Sequence, residues 1–246
     1  MKKYTYLFVV MLISMVSASA QTQINKSIAI QSGQKISFVF DYPEMVRITT
    51  WDKSEIAIQG TVSINDGEND NAFELQTNTS GNTVVVKNII RDFKNLPQRI
   101  TVVRDGKKMV FHDKEALKKY QSENGKTFES QSRGVDFEII LEIKVPRNVE
   151  TTVQSTYGMV EVKDFTGPLT AISTYGGVDA SVKEKLMGEL VAETNFGQIY
   201  SNLDVKFIGE NSKDEHFHTL VSAKPGTGPR YAFESKYGNV YLRKSP

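Results

Sequence analysis

The chain has 246 residues, and its 30 lysines and arginines nearly balance its 29 aspartates and glutamates. This balance gives no indication of nucleic acid or an anionic membrane as a partner. The absence of cysteine excludes disulfides, a thiolate metal site and a cysteine nucleophile. The fold must therefore be stabilised by its own hydrophobic core, and the chain is long enough to form one.

The first 20 residues have the features of a secretory signal peptide. Two lysines at positions 2 and 3 precede an apolar run over residues 7–16, which is short for a membrane span. Residues 18–20 read Ala-Ser-Ala, so we predict cleavage there and a mature chain of residues 21–246, exported to the periplasm or cell surface. No cysteine follows this site, which excludes a lipoprotein anchor there, and no later run reaches a transmembrane length. The alternative is an uncleaved membrane anchor.

The first part of the mature chain alternates apolar and polar residues with a period of two. Such alternation predicts half-buried strands, and turn residues separate one segment from the next. The segments of this kind before residue 91 are 35–40, 46–51, 55–64, 73–77 and 83–87. The pattern resumes at residue 135, so we predict an all-β protein.

Residues 91–135 interrupt this pattern, and we interpret them as an insertion or excursion between two halves of one β-domain. The sequence Arg-Asp-Gly-Lys at 104–107 predicts a hairpin turn. Residues 113–120 have a helical composition, with Asp113 as the candidate N-cap. The alternative is a second domain, although a segment of this length and composition would form a weak core of its own.

A short motif recurs four times after residue 150: a small hydroxyl residue, a polar residue, an aromatic, glycine, any residue and a β-branched aliphatic. Its aromatics are separated by 18, 21 and 41 residues and are Tyr157, Tyr175, Phe196 and Tyr237. A recurrence of about 20 residues predicts stacked supersecondary units. The apolar positions before and after each glycine are out of phase, which predicts a corner, because glycine permits backbone angles that other residues resist.

Each repeat therefore reads as strand, glycine corner and strand. We predict a single-stranded, right-handed β-solenoid or β-helix-like domain with coils of about 20 residues and an irregular central excursion. The structural alternative is a hairpin-based sandwich. Because the C-terminal strand ends at Leu242 with four residues after it, we expect the last coil to be an exposed edge.

The aromatic positions of the repeats have two interpretations. Each shares the parity of apolar residues such as Val153 and Phe233, so we predict an inward ladder that supports the glycine corners. If the rings instead point outward, they form a platform spaced for stacking on sugar rings. Variable polar positions are further candidates for ligand contact: Thr156, Thr174, Asn195 and Lys236.

These features resemble a known family. Behind a signal peptide and an N-terminal strand region, the sequence Glu-Ile-Lys-Val-Pro-Arg at 142–147 precedes recurring x-Tyr-Gly-x-Val units. This arrangement resembles the bacterial putative-adhesin domain family over roughly residues 35–245, most strongly over 138–200. The resemblance implies an exported, β-solenoid-like protein of a kind common in Bacteroidetes, with no established enzymatic activity and no catalytic residue to transfer. Residues 91–135 and 202–232 depart from a regular solenoid.

Two segments contain candidate metal ligands. His216 and His218 would share one face of a strand with acidic neighbours, but a zinc or copper site needs three or four converging donors. Asp66, Glu68 and Asp70 alternate as in a calcium loop, yet the twelfth position is Thr77 rather than glutamate. We therefore predict a solvated acidic junction in the first segment and an ordinary polar turn in the second.

No sequence signature of an enzyme is present. The chain has no Gly-x-Ser-x-Gly, His-Glu-x-x-His or Walker motif, and no spacing singles out a carboxylate pair. Trp51 lies at a strand end, where we predict a place on the rim of the core. We assign no catalytic, cofactor-binding or metal-binding residue and no cofactor.

The sequence therefore predicts an exported, non-enzymatic, structural or adhesin-like protein. It would mediate interactions at the cell surface or in the periplasm with a protein or glycan ligand. Two alternatives remain open: a polysaccharide-active enzyme on the same scaffold, and a periplasmic partner in envelope signalling.

Overall fold

The computed structural model describes residues 21–210 and 218–245, so the predicted signal peptide, residues 1–20, lies outside the described residues. The strands are β1 (Thr22–Ala29), β2 (Lys35–Phe40), β3 (Met45–Trp51), β4 (Glu55–Ile64), β5 (Phe73–Ser80), β6 (Thr83–Ile90), β7 (Arg99–Arg104), β8 (Lys107–Phe111), β9 (Ser130–Gly134), β10 (Phe137–Pro146), β11 (Thr151–Ser155), β12 (Met159–Val162), β13 (Leu169–Ser173), β14 (Val178–Val182), β15 (Glu189–Thr194), β16 (Ile199–Ser201), β17 (Ile208–Glu210), β18 (Thr219–Ala223), β19 (Arg230–Ser235) and β20 (Val240–Lys244). The α-helix is α1 (Lys114–Asn124), and short 3-10 segments lie at Asp70–Ala72, Phe93–Asn95 and Glu184–Leu186. No helix in these two ranges is long and apolar enough to cross a membrane.

Most strands belong to two large mixed sheets. The first has the order β1-β4-β10-β3-β12-β14-β20-β16, and the second has the order β17-β18-β15-β19-β13-β11-β2-β6-β5. Pairing is parallel from β10 to β16 and from β15 to β6. It is antiparallel toward the remaining ends. The predicted all-β class is confirmed.

Inward side chains from both sheets form one hydrophobic core. In β10, the alternation of the sequence places Ile139, Leu141 and Ile143 inside the core. The second sheet contributes the largest fully buried rings, among them Phe38 and Phe233. Each such side chain contributes about 1.5–3 kcal/mol by leaving water, so this shared core holds the two sheets together.

The repeats form β-arches, a term we use for two strands, one in each sheet, joined by a corner. We keep the term for the five pairs whose corners carry a repeat aromatic or Tyr42: β2–β3, β11–β12, β13–β14, β15–β16 and β19–β20. The arch β19–β20 pairs with β13–β14 on one side and with β15–β16 on the other. The 41-residue step arises because the chain leaves the stack after β16, adds β17 and β18 to the second sheet, and then returns.

The order of the strands in the two sheets corrects one prediction and does not support another. The C-terminal strand β20 lies inside the first sheet, so the prediction that it forms an exposed edge is wrong. The edge strand at this end of the sheet is β16, which pairs with β20. A single-stranded, right-handed β-solenoid is not shown, because both sheets are mixed and the arches do not stack in chain order.

The central excursion forms a small sheet of its own, in the order β8-β7-β9, against which α1 packs. Ile100, Val102 and Leu117 are its buried apolar residues. The predicted helix is confirmed, since the Asp113 carboxylate accepts the first free N–H groups of α1 at 2.8 and 2.9 Å. The predicted hairpin turn is confirmed between β7 and β8, where Asp105 and Gly106 have φ of 52° and 69°.

Candidate functional site: an exposed aromatic ridge

Each repeat corner is held by a buried hydroxyl. The Ser235 hydroxyl accepts the N–H of Gly238 at 2.9 Å and donates to the carbonyl of Gly176, in the neighbouring arch, at 2.8 Å. Thr194 makes the same pair of bonds, accepting from Gly197 at 3.0 Å and donating to Gly238 at 2.9 Å. The hydroxyls therefore connect each corner to the next one in the stack.

The corner glycines are required by the close approach of neighbouring arches. A β-carbon on Gly176 would overlap the carbonyl oxygen of Gly158, and one on Gly238 would overlap the carbonyl oxygen of Gly176. Neither glycine has a positive φ. The predicted reason for these glycines, backbone freedom, is therefore wrong, and the reason is the absence of a side chain.

The aromatic residues of the repeats point outward, which corrects the predicted inward ladder. Their exposed fractions are 56% for Tyr157, 55% for Tyr175, 56% for Phe196 and 45% for Tyr237. In each of the four repeats the first strand ends two residues earlier, at the hydroxyl residue; β11, for example, ends at Ser155. The alternation of that strand therefore does not extend to the ring.

These rings stack on one another along one edge of the molecule. Centroids of neighbouring rings are 5.1 to 5.7 Å apart and the planes differ by 7° to 18°. We call this stack the aromatic ridge; its rings, in spatial order, are Phe196, Tyr237, Tyr175, Tyr157 and Tyr42. Tyr42 also stacks on Phe137 at 4.6 Å and on Phe93 at 5.4 Å, so the start of the excursion and the start of β10 each contribute a ring beside the ridge.

The repeat motif does not include Tyr42, Phe93 and Phe137, so these rings were not identified from the sequence. Tyr42 occupies the corner of the arch β2–β3, but Pro43 follows it where the repeats have glycine. The carbonyl of Pro43 lies where a β-carbon on Gly158 would be, so the two corners stack like those of the repeats. The available signal was an aromatic residue two positions after the end of β2, the same spacing as in the repeats.

The chemistry of the ridge is aromatic and almost uncharged. Because neighbouring rings cover each other's faces, the ridge presents ring edges and phenol groups to solvent. The phenols of Tyr157, Tyr175 and Tyr237 form no hydrogen bond within the part of the chain that the structure describes. The Lys236 ammonium lies 5.6 Å from the centre of the Tyr237 ring. Burial raises the pKa of Tyr42, with smaller contributions from the negative charge of Asp41.

The size of the ridge is informative. Four rings at about half exposure, together with the less exposed Tyr42, present on the order of 500 Å² of surface. The largest patch on a typical monomer is about 300–600 Å² and is often functional. A standard protein interface buries about 800 Å² per partner. The ridge therefore has the area of a binding surface for a narrow ligand.

The candidate metal ligands serve other contacts. Asp70 accepts the backbone N–H of Ile64 at 2.6 Å, and Glu68 pairs with Arg99 at 2.5 Å. His218 bonds to Glu193 at 2.8 Å, whereas His216 lies outside the described residues. Over residues 21–210 and 218–245, no three histidine or acidic side chains are grouped as a metal site requires.

Trp51 is half-buried at the end of β3. Its indole N–H donates to the carbonyl of Glu55 at 2.8 Å, and the ammonium groups of Lys53 and Lys144 lie 4.7 and 5.9 Å from the ring centre. The ring therefore has internal partners and lies apart from the ridge.

The outer face of the first sheet carries ion pairs. Arg47 bonds to Glu161 at 2.5 Å and to Glu142 at 2.6 Å, and Lys163 bonds to Glu161 at 2.7 Å. Burial opposes the ionisation of Glu161, but the hydrogen bonds from Lys163 and Arg47 outweigh it and lower its pKa. Glu161 is therefore a carboxylate held in its charged form.

The lowered pKa of Glu161 predicts an acid-dependent loss of stability. Its contribution is present above the unfolded-state pKa, near about 4.3, and is lost as the pH falls through the lower folded-state value. We expect the difference in Tm between the wild type and Glu161→Gln to shrink between about pH 6 and pH 3, with Glu123→Gln, an exposed control, showing no such trend. Circular dichroism melts measure this, and a pH-independent difference would contradict the assignment.

Comparisons with known proteins identify no family for this chain. No protein-family model matches the chain, and no curated protein matches it. One similar solved structure is a putative cell adhesion protein from Clostridium sporogenes, with 9% identity, a TM-score of 0.46 and coverage of 92% of this chain and 100% of that chain. Another is a putative adhesin from Bacteroides fragilis, with 11% identity, a TM-score of 0.33 and coverage of 92% and 99%.

Proposed function

We propose that this chain is an exported, non-enzymatic, adhesin-like protein whose aromatic ridge binds a glycan at the cell surface or in the periplasm. The observation that carries the proposal is the exposed stack of rings. The corners are closed by hydroxyls such as Ser235 and by glycines such as Gly238, so closing them does not require the aromatic ring between. A ring that is half exposed at every corner of the repeats is the signature of a contact surface.

A glycan chain suits the ridge in shape and chemistry. The five rings form a narrow line of four steps, each 5.1 to 5.7 Å, which fits a linear polymer better than a broad protein surface. Phenol groups along the line can exchange hydrogen bonds with sugar hydroxyls. The residues before the rings, Thr156, Thr174 and Asn195, are uncharged hydrogen-bonding groups.

The stacked arches suit a protein that binds a glycan without cleaving it. We propose that the five arches act as a short solenoid-like stack whose constant spacing repeats the same contact along the ridge. Catalysis by a glycosidase requires free carboxyl groups with tuned pKa values. Glu161 and Asp179, on the outer face of the first sheet, are instead bound to arginines, which favours binding over catalysis there.

Two variants of Tyr175 test the proposal. Tyr175→Ala removes two stacking pairs, each of about 0.5–1.5 kcal/mol, so we expect a modest loss of stability and at least tenfold weaker binding on an array of oligosaccharides. Tyr175→Phe keeps the stack, as Phe196 does naturally, and removes only the phenol. We expect it to retain wild-type stability and to weaken binding by several fold.

Leu186→Ala is the matched control, because Leu186 is exposed to 52% in the connection between β14 and β15, away from the ridge. It should bind like the wild type. Array binding that is unchanged in Tyr175→Ala, with the folded state verified by circular dichroism, would exclude the ridge as the glycan site. Capture of an envelope protein that depends on Tyr175, without array binding, would replace the glycan by a protein ligand.

A further inference from the structure

The two sheets end unevenly at one end of the stack. The second sheet continues past β15 with β18 and β17, whereas the first sheet ends at β16. The inward residue of β16, Ile199, is only half-buried, although its counterparts Val240, Val178 and Val160 are completely buried. The end of the hydrophobic core beside β16 is therefore only partly covered on the side of the first sheet.

The backbone of β16 has groups directed away from its neighbour. Val240 donates to the carbonyl of Gln198 at 2.9 Å, and Asn202 donates to the carbonyl of Leu242 at 3.2 Å. In a parallel pair, alternate residues bond to the same neighbour, so the N–H and C=O groups of Ile199 and Ser201 face outward. Within residues 21–210 and 218–245, no hydrogen bond to these four groups is present.

The side chains of β16 leave this edge open. Tyr200 stacks on Tyr241 of β20 at 5.2 Å and is 47% exposed, so its opposite face lies beyond the edge of the sheet. Natural edge strands are commonly protected by charged residues. Such residues occur in four other edge strands, β1, β5, β8 and β9, as Lys26, Glu74, Lys107 and Arg133. The sequence of β16, Ile-Tyr-Ser, has none.

We propose that β16 binds an extended strand of another polypeptide by β-augmentation. The alternating N–H and C=O groups of Ile199 and Ser201 define a polypeptide as the occupant, because only a second backbone matches their spacing. The strand carries an aliphatic side chain beside Ile199 and an aromatic one beside Tyr200. The sequence of β20, which already pairs with the other side of β16, has this pattern in Val240 and Tyr241. This surface is separate from the aromatic ridge and its proposed glycan.

The test uses the mature full chain and a fluorescent peptide with the sequence of residues 235–244, Ser-Lys-Tyr-Gly-Asn-Val-Tyr-Leu-Arg-Lys. Because β16 offers four backbone groups, we expect weak but saturable binding by fluorescence anisotropy. Ser201→Pro removes one outward N–H and none of the bonds to β20, so we expect at least tenfold weaker binding with the fold intact. Ser201→Ala, which keeps that N–H, is the matched control and should bind like the wild type.

Two outcomes would overturn the proposal. Equal affinity of wild type and Ser201→Pro would place the peptide elsewhere, and the absence of saturable binding would show that the edge takes no strand. By contrast, a dimer in sedimentation that Ser201→Pro abolishes would support strand binding at β16 and would identify a second copy of this chain as the source of the strand. Tyr175→Ala should leave peptide binding unchanged, so failure at the ridge and failure at the edge are distinguishable.

Discussion

Replacing Gly238 with alanine should destabilise the protein by at least about 3 kcal/mol. The new β-carbon would overlap the carbonyl oxygen of Gly176 and lie 2.7 Å from its carbonyl carbon. These are backbone atoms of an arch that pairs on both of its sides, so neither corner can shift without stretching several strands. Chemical denaturation followed by circular dichroism measures the loss.

Gly134→Ala is the matched control. Gly134 ends β9, has no positive φ, and a β-carbon there would meet no atom within 4 Å. We expect a change of no more than about 0.5 kcal/mol. Equal stability of the two variants would mean that neighbouring arches are not packed as closely as the corner geometry requires.

The second large effect should come from Ser235→Ala. Ser235 is fully buried, and its hydroxyl satisfies both the N–H of Gly238 and the carbonyl of Gly176. Alanine would leave these two partly buried backbone groups without their partner, which costs about 1–3 kcal/mol. The sheets themselves would remain, so we expect a lower unfolding midpoint and a far-ultraviolet spectrum like that of the wild type.

Ser130→Ala provides the comparison, since Ser130 is exposed on β9 and its side chain supports no corner. It should leave the unfolding midpoint unchanged. If Ser235→Ala were as stable as Ser130→Ala, the buried hydroxyls would not be what joins one arch to the next.

Local features could be predicted from the sequence because their causes are local. Alternation of apolar and polar residues depends only on the strand itself, and it correctly indicated β2, β4 and β10. The capped helix α1 likewise follows from Asp113 and the residues after it. These patterns need no knowledge of what packs against them.

The order of the arches could not be predicted in the same way. That β19 lies between β13 and β15 depends on pairings between residues far apart in the chain, such as Ala171 with Phe233 and Ala192 with Phe233. A motif shared by all repeats fits several orders equally well. Strand parity could not predict the direction of the rings, because β11 ends at Ser155 and its alternation does not continue to Tyr157.

The repeat tyrosines face solvent, while the hydroxyls and glycines build the corners. Nitration by tetranitromethane, followed by peptide mass spectrometry of the folded protein, tests it most directly. Tyr157, Tyr175 and Tyr237 should react readily, whereas Tyr231 should not, because it is 3% exposed, donates to the carbonyl of Phe165 at 2.9 Å and has a pKa raised by burial. Protection of the three repeat tyrosines to the level of Tyr231 would contradict the ridge and restore the inward ladder.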